Sequence, residues 1–212
     1  MARPVLYGAS YSVYVRAARL ALVEKGVAHD LVEVDVFAPG GPPAEHLARH
    51  PFGKIPAFEH DGFRLYEAGA ISRYVDEAFA GPALQPSGPR ERARMNQAIS
   101  IMDSYAYPHL VWGLYVERIS GPARGRPTDQ ARVAASLPKA ETCLQALDGL
   151  AGAHLAGAQL SLADLHAAPM FDYAVQVPEV ATMLARRPAL LAWWERMRAR
   201  PSMAATQPKP RA

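Results

Sequence analysis

Residues 50–71 constrain the fold of this chain more than any other stretch of the sequence. A proline opens a short apolar run at residues 56–58, a composition that is typical of the start of a strand. Asp61-Gly62 is a hairpin turn signal, residues 63–66 form the return strand, and a helix is predicted to begin near Glu67. This order leaves unpaired backbone groups beside a helix N-terminus. Such a shelf suits an extended peptide that carries negative charge.

The pattern of apolar residues predicts the elements that precede this stretch. Residues 5–7 form a strand, residues 15–24 form an amphipathic helix that ends at Gly26, and apolar and charged residues alternate over a strand at residues 31–37. A short helix follows at residues 44–49. The strand–helix–strand order favours a parallel pair, to which the hairpin adds antiparallel strands. Three basic side chains are expected on the solvent face of the first helix, namely Arg16, Arg19 and Lys25.

A run of glycine and proline at residues 81–89 marks a domain boundary, and every later segment has the pattern of a helix. Pro108 and Pro138 interrupt the two longest segments, where bends are expected. Ser161 and Asp164 form a capping-box pattern at the start of another helix. The predicted organisation is a first domain at residues 1–80, a linker at 81–89, a helical domain at 90–206 and a flexible tail at 207–212.

The composition excludes several classes of protein. The net charge is only +3 and the basic residues are spread along the chain, so no nucleic-acid partner is expected. No apolar stretch approaches the ~20 residues of a membrane span, and the N-terminus has no apolar signal region, so no membrane association is expected. Cys143 is the single cysteine, which excludes an internal disulfide and favours a reducing compartment. The expected location is therefore the cytoplasm.

The order and spacing of four segments resemble the cytosolic glutathione transferase family, over nearly the whole chain. The segments are residues 12–26, 50–59, 65–75 and 192–202, and residues 160–164 are similar to the family's buried capping motif. The first segment most resembles the serine-type classes (phi, tau and theta-like) and bacterial members. The resemblance implies an α/β thioredoxin-like N-terminal domain with a mixed four-stranded sheet, an all-α C-terminal helical domain and a homodimer. It also implies glutathione as the co-substrate and no metal.

The resemblance gives the central chemistry to Ser12, near the expected start of the first helix. The thiol of free glutathione has a pKa near that of cysteine, ~8.5, so a site must favour the thiolate to make it nucleophilic at neutral pH. A hydroxyl that points at the sulfur does so because it hydrogen-bonds to the charged form. Ser12 can instead be an ordinary helix-capping serine. Three neighbouring hydroxyls compete for the role, those of Tyr7, Ser10 and Tyr11.

The resemblance also implies that glutathione lies along the proline segment and the helix after it. Pro56 is expected to follow a cis peptide bond, which would aim the N–H and C=O of Ile55 at the cysteinyl backbone of the ligand. Glu67 and Ala68 are expected to receive the γ-glutamyl carboxylate at the start of a helix. The family usually has serine at the second of these positions, so Ala68 lacks a hydroxyl donor and we expect weaker binding.

The glycyl and ammonium ends of glutathione have less obvious partners in this sequence. Related proteins place basic residues in the loop where this chain has Gly40-Gly41-Pro42-Pro43. Lys54, or His46 if it turns inward, would then bind the glycyl carboxylate, and a solvated role is the alternative for both. By analogy with some classes, Asp103 would reach the γ-glutamyl amine across a dimer interface. A helix-surface acid is the other interpretation of Asp103.

The pocket for a hydrophobic electrophile is expected between the two domains. Its candidate residues are Val13, Phe37, Met102, Tyr105, Tyr107, Trp112 and Tyr115, although aromatic residues at helical spacing are also typical of a core. The leading function is a glutathione transferase. The alternatives are a glutathione-dependent isomerase, dehalogenase, lyase or peroxidase on the same fold, and a non-catalytic binding protein. Thiol–disulfide exchange is not expected, because the first domain has no cysteine.

Overall fold

The computed structural model describes residues 3–208, which divide into two compact units. The first unit contains residues 3–85 and 200–208, and the second contains residues 86–199. Residues 200–206, which were predicted to belong to the helical domain, thus group with the first unit. Of the predicted flexible tail, residues 209–212 lie outside the described residues.

The first unit contains a mixed four-stranded sheet with the strand order β2-β1-β3-β4. Its strands are β1 (Val5–Tyr7), β2 (Asp30–Val32), β3 (Ala57–His60) and β4 (Phe63–Tyr66). β1 pairs in parallel with β2 and antiparallel with β3, and β3 pairs antiparallel with β4. Asp61 (φ 48°) and Gly62 (φ 80°) both have the positive φ that a two-residue type I′ hairpin requires. The predicted parallel pair and hairpin are confirmed.

Helices cover the sheet of the first unit. They are α1 (Val13–Glu24), α2 (Ala44–Leu47), α3 (Ala68–Ala78) and α9 (Pro201–Ala205). α1 packs against both α3 and α9. The fully buried apolar side chains of this unit include Leu6, Leu20, Leu22, Phe58 and Ile71. The core therefore lies between the central strands and the pair of helices α1 and α3.

The second strand is shorter than predicted. Residues 31–37 alternate between apolar and charged side chains, but β2 ends at Val32 because its parallel partner β1 ends at Tyr7. Beyond that point a charged side chain holds the loop after β1, since a carboxylate oxygen of Glu33 accepts a hydrogen bond from the N–H of Ser10 at 3.1 Å. The alternating residues after Val32 therefore belong to a loop, and Glu33 in this loop binds the backbone of the loop after β1.

Two of the basic residues that were predicted on the solvent face of α1 are buried instead. Arg16 is 2% exposed, and its guanidinium donates to the carbonyl oxygen of Met203 at 3.0 Å. Lys25 is 7% exposed, and its ammonium donates to the Asp76 carboxylate at 3.1 Å and the Pro82 carbonyl oxygen at 3.0 Å. The prediction was wrong because these acceptors come from α9 and from the segment around the end of α3. The periodicity of α1 alone contains no information about them.

The described part of the second unit is helical. Its elements are α4 (Pro89–Ile101), a π-helix (Met102–Ser120), a 3-10 turn (Pro122–Arg124), α5 (Gln130–Asp148), α6 (Leu162–Ala174), α7 (Pro178–Ala185) and α8 (Pro188–Arg198). α4 runs directly into the π-helix, so the predicted long segment is one continuous helical stretch. Pro108 lies inside the π-helix and Pro138 inside α5, and neither proline ends its helix. Within residues 3–208, no helix is both long and apolar enough to cross a bilayer.

A buried carboxylate joins the start of α6 to its surroundings. Asp164 has no exposed surface and accepts hydrogen bonds from the N–H and hydroxyl of Ser161, at 2.8 and 2.9 Å. It also accepts from the N–H of Leu155 at 2.9 Å and from the indole Nε1–H of Trp193 at 2.8 Å. The predicted capping box is confirmed, and its acid does more than cap the helix.

Candidate functional site

Ser12 is the N-cap residue of α1, directly after the loop that leaves β1. Its Oγ accepts a hydrogen bond from the N–H of Val15 at 3.4 Å. That bond uses the oxygen as an acceptor, and the hydroxyl proton has no acceptor among the described residues. The surrounding helix terminus carries the positive end of the helix dipole. Ser12 is therefore placed to donate a hydrogen bond to an anion held over the start of α1.

Two of the three competing hydroxyls already donate to carboxylates. The Tyr7 hydroxyl donates to Glu59 at 3.5 Å, and the Tyr11 hydroxyl donates to Asp35 at 2.7 Å. Ser10 is 6% exposed, which leaves its hydroxyl little surface for a ligand. These contacts favour the N-cap serine over its neighbours, although its contact with a thiol stays a prediction.

The Ile55–Pro56 peptide bond is cis, as the resemblance implied. Pro56 directly precedes β3, and neither the N–H nor the C=O of Ile55 forms a hydrogen bond within residues 3–208. Gly8, in the loop after β1, separates this segment from α1. A Cβ atom on Gly8 would lie 3.2 Å from Ile55 Cβ and 2.5 Å from Val15 Cγ2, so only glycine fits there. The free backbone groups of Ile55 and the start of α1 are thus close neighbours.

The start of α3 presents a further set of backbone donors. Glu67 is the N-cap residue, and its side chain forms no capping hydrogen bond. Its φ of 72° lies in the region that favours glycine, and strain of this kind concentrates at binding sites. Ala68 is 5% exposed and begins the helix, where the first N–H groups have no intrahelical acceptor. This terminus suits the binding of a carboxylate.

Lys54 and His46 occupy very different environments. His46 is turned inward and is 1% exposed, and its Nε2 bonds to the carbonyl oxygen of Lys54 at 2.7 Å. The Lys54 side chain is exposed, and no carboxylate pairs with it in the described part of the chain. Gly40 and Gly41 adopt positive φ values of 93° and 77° and offer no side-chain cation. Of the candidates for a glycyl carboxylate, only Lys54 has its charged group in solvent.

His46 also has a second buried histidine, His50, as a neighbour. The two ring centroids are 6.3 Å apart, and each ring has a buried Nδ1 that has no hydrogen-bond partner among residues 3–208. Burial lowers the pKa of His50. Among residues 3–208, no group of three or more His, Cys, Asp or Glu side chains is arranged to hold a metal ion.

Asp103 lies on the π-helix and pairs with a histidine that was not among the predicted site residues. Its carboxylate is 2.7 Å from Nε2 of His166 on α6, and the side chains of Asp103 and His166 are 43% and 3% exposed. A signal for His166 was present, because a histidine in an otherwise small and apolar helix needs a polar partner when it is buried. The contact of Asp103 with a ligand in a partner subunit stays a prediction.

The candidates for the hydrophobic pocket differ in exposure. In the first unit, Val13 is 4% exposed in the first turn of α1, and Phe37 is 64% exposed. In the second unit, Met102 has no exposed surface and serves the core. Tyr105 is 61% exposed on the same helical stretch. Their contact with an electrophile stays a prediction.

The remaining aromatic candidates form two ring pairs within the second unit. Tyr107 and Trp112 meet edge to face, with ring centroids 6.3 Å apart. Tyr115 stacks on Tyr173, at 4.4 Å and an interplanar angle of 9°. Burial raises the pKa of Tyr107, so its phenol is neutral at physiological pH. All four of these aromatic residues are half-buried rather than fully buried.

Comparison with known proteins identifies the family. The profile described as "Glutathione S-transferase, N-terminal domain" matches residues 6–83, and the profile "Glutathione S-transferase, C-terminal domain" matches residues 99–201. The first match spans the sheet, the Ile55–Pro56 segment and α3. The second spans the π-helix and the capping box of α6.

Individual relatives agree with these matches. A probable glutathione S-transferase from Oryza sativa subsp. japonica is 32% identical, over 93% of this chain and 92% of that protein. The solved structure of glutathione S-transferase III in its apo form has a TM-score of 0.87 and 29% identity, with full coverage of both chains. Glutathione S-transferase I from maize, in complex with an atrazine glutathione conjugate, has a TM-score of 0.84 and 29% identity, over 97% of this chain and 96% of that one. This chain therefore belongs to the glutathione S-transferase family.

Proposed function

We propose that this protein joins the thiol of glutathione to hydrophobic electrophiles, and that Ser12 stabilises the thiolate. The observation that carries this proposal is the Ser12 hydroxyl, whose oxygen caps α1 through Val15 N–H while its proton has no acceptor among the described residues. The unpaired backbone of Ile55 lies beside the same helix start and can hold the cysteinyl backbone of the ligand. The conjugate bound by the maize relative supports a hydrophobic second substrate.

The energy needed for thiolate formation is within reach of these groups. Lowering the thiol pKa by about two units corresponds to ~2.7 kcal/mol of preference for the charged form. A hydrogen bond to a charged acceptor contributes ~1.5–3 kcal/mol. The N-terminus of a helix adds ~0.3–1 kcal/mol. Ser12 and the start of α1 together can therefore ionise the thiol near neutral pH.

In the proposed reaction, an electron pair of the thiolate sulfur forms the new bond to an electrophilic carbon. In a substitution, the leaving group departs with the electron pair of the bond that breaks. In an addition, the π electron pair of the attacked double bond moves away from that carbon toward the electron-withdrawing group of the acceptor, and the resulting anion then takes a proton from water. The thiol proton is lost to solvent when glutathione binds, and the reaction needs no oxidant or reductant.

We propose the other ligand contacts by matching the charge at each end of glutathione to a group of the protein. The Lys54 ammonium would bind the glycyl carboxylate, and the backbone at Glu67 and Ala68 would bind the γ-glutamyl carboxylate. Asp103 would meet the γ-glutamyl amine. The electrophile would contact Val13, Phe37, Tyr107, Trp112 and Tyr115.

Titration calorimetry with glutathione is the first test. We expect saturable binding of glutathione to the wild-type protein. If millimolar glutathione gives no heat, the transferase proposal and the isomerase, dehalogenase, lyase and peroxidase alternatives all fail. The non-catalytic alternative, which Ala68 and the glycine-proline loop at residues 40–43 favour, would then replace them.

A glycine at position 12 separates the proposed catalytic role from helix capping. Glycine at an N-cap costs only a few tenths of a kcal/mol, whereas alanine costs ~0.5–2 kcal/mol. We expect Ser12→Gly to keep its fold and its glutathione affinity, to raise the pKa of the bound thiol, and to slow conjugation of chlorodinitrobenzene by about tenfold to a hundredfold at neutral pH. Ultraviolet thiolate absorbance, titrated against pH, measures the pKa shift directly.

Single substitutions of the competing residues provide the controls. Ser10→Ala, Tyr7→Phe and Tyr11→Phe each remove one hydroxyl from the same region without touching the N-cap of α1. We expect all three to leave the pKa of the bound thiol unchanged. If one of them raises this pKa and Ser12→Gly does not, the thiolate-stabilising role belongs to that residue.

The assembly proposed for this protein is a homodimer, in the cytoplasm. Leu47 and Phe52 are 45% and 70% exposed near the α2–β3 connection, and such apolar surface favours coverage by another chain. Sedimentation velocity at micromolar concentration tests the assembly. A single monomeric species would contradict it, without affecting the proposal for Ser12.

A further inference from the structure

His46 is a buried polar side chain that has a hydrogen-bond partner but takes no part in the proposed function described above. It lies on α2, it is 1% exposed, and its Nε2 is 2.7 Å from the carbonyl oxygen of Lys54. A carbonyl oxygen can only accept a hydrogen bond, so Nε2 must carry the proton. The other ring nitrogen, Nδ1, is buried and has no partner within the described residues. The orientation of the ring is thus fixed by one bond, to Lys54.

The acceptor of this bond belongs to the same peptide group as the Ile55 N–H. The carbonyl of Lys54 and the N–H of Ile55 are the two ends of one planar unit, and in a trans peptide they point in opposite directions. The cis bond of this segment is the next one, between Ile55 and Pro56. A hydrogen bond that fixes the Lys54 carbonyl therefore also fixes the direction of the Ile55 N–H. It also polarises that N–H, because hydrogen bonds in a chain strengthen one another.

The residues just before Lys54 are held by contacts of their own, whereas the orientation of the Lys54–Ile55 peptide group depends on the hydrogen bond from His46. The N–H of Gly53 donates to the carbonyl of His50 at 2.9 Å. A Cβ atom on Gly53 would lie 3.1 Å from Pro42 Cγ and 3.3 Å from Leu47 Cδ2, so the chain is held closely up to this point. The backbone of residues 54–56, directly before β3, forms one hydrogen bond within residues 3–208. That bond is the one from His46 to the Lys54 carbonyl oxygen.

We infer that His46 is a positioning residue for glutathione, acting through the Lys54–Ile55 peptide group. It holds the Ile55 N–H toward the cysteinyl carbonyl of the ligand without touching the ligand itself. This inference rests on the proposed function, since it assumes that the ligand uses the Ile55 backbone. Its effect falls on ligand binding rather than on ionisation of the thiol, which is the part proposed for Ser12.

Two amide side chains that differ by one methylene group test this inference. Glutamine reaches as far as Nε2 of histidine and can donate to Lys54, whereas asparagine reaches only as far as Nδ1. We expect His46→Asn to weaken glutathione binding about tenfold in calorimetry and to raise KM, with kcat at saturation within about twofold of wild type. His46→Gln should stay within about threefold of the wild-type affinity. Equal affinities for the two variants would overturn the role.

His60→Leu is the matched control for general loss of stability. His60 is a further buried histidine of the first unit, 6% exposed, and its Nδ1 bonds to the Tyr74 hydroxyl at 2.9 Å. We expect this variant to melt at a lower temperature and to keep its glutathione affinity. If affinity falls in proportion to melting temperature across His46→Asn and His60→Leu, His46 is only a structural residue.

The amide resonance of Ile55 decides the inference even without a ligand. In the free protein, we expect the ¹H–¹⁵N signal of Ile55 to shift in His46→Asn and to remain near its wild-type position in His46→Gln. If the wild type fails to bind glutathione but these shifts occur, the proposed function fails and the positioning of the peptide group stands. Unchanged Ile55 signals in both variants would overturn the inference.

Discussion

At the scale of single residues, the candidate site offers mainly backbone donors. The N–H of Ile55 and the first N–H groups of α3 at Ala68 face no acceptor of their own element, and Ser12 adds a hydroxyl at the start of α1. Backbone donors remain when side chains change, so Ala68 keeps one donor at a position where the resemblance implies serine. What this chain lacks at position 68 is the second, side-chain donor.

Ala68→Ser is expected to strengthen glutathione binding. The added hydroxyl would sit beside the N–H at the start of α3 and donate to the γ-glutamyl carboxylate, and a bond to a charged group contributes ~1.5–3 kcal/mol. We therefore expect Kd to fall by about tenfold or more in calorimetry. Ala70→Ser, an exposed change in the same turn of α3, is the control and should leave Kd unchanged. An unchanged Kd in Ala68→Ser would show that the carboxylate lies elsewhere.

At the scale of elements, the ends of the helices are fixed by side chains close in sequence. Ser12 caps α1, and Asp129 caps α5 by accepting from the N–H of Arg132 at 3.0 Å. The start of α6 is the most elaborate, because the buried acid of its capping box also binds a loop N–H and an indole N–H of α8. One carboxylate thus connects three parts of the second unit.

Asp164→Ala is expected to be one of the most destabilising single changes in the second unit. It leaves the buried donors of Ser161, Leu155 and Trp193 without their acceptor, and each such donor costs ~1–3 kcal/mol. We expect the free energy of unfolding to fall by at least about 3 kcal/mol in chemical denaturation. Asp148→Ala is the control, because within the described part of the chain the Asp148 side chain accepts one backbone hydrogen bond, from Leu190 at 3.0 Å. This variant should lose about 1 kcal/mol. Similar losses in the two variants would contradict the network.

At the scale of the whole chain, the C-terminal segment returns to the first unit. Arg200 donates two hydrogen bonds to the carboxylate of Glu24, both at 2.8 Å, and the Ser202 hydroxyl donates to the same carboxylate. The buried guanidinium of Arg16 binds the backbone of α9 from the same helix α1. Contacts between residues about 180 positions apart in sequence therefore hold the last helix in place.

The Glu24 carboxylate makes this attachment sensitive to acid. Burial alone would raise the pKa of Glu24, but hydrogen bonds from Arg200 and Ser202 outweigh burial and hold the pKa below its ordinary value. Because the folded pKa lies below the unfolded value of ~4.3, the stabilisation is complete above that pH and is lost as the pH falls through the folded pKa. We expect thermal stability to decline below about pH 4.3.

Glu24→Gln is the corresponding variant. It removes the charge, so we expect a lower melting temperature at pH 7 and a shallower decline on acidification than in the wild type, both measured by circular dichroism. Glu45→Gln, at an exposed glutamate with no ion pair among the described residues, should follow the wild-type curve. If Glu24→Gln also follows that curve, the attachment of α9 does not depend on this carboxylate.

The sequence by itself determined the features that depend on neighbours along the chain. Asp61 and Gly62 adopt the positive φ values that their residue types favour, and Ser161 and Asp164 form the capping box that their spacing predicts. Resemblance added the family, the cis Ile55–Pro56 bond and the part proposed for Ser12. Each of these features follows from local geometry or from a motif, and both can be recognised from the order of the residues along the chain.

Tertiary structure alone decided where distant parts of the chain meet. The burial of Arg16 depends on carbonyl groups of α9, and the early end of β2 depends on the length of its partner β1. The bond from His46 to Lys54 depends on how α2 turns against the segment before β3. The physical reason is the same in each case, because a polar group is buried only where a partner is supplied. Residues far away in sequence, or on another element, supply that partner.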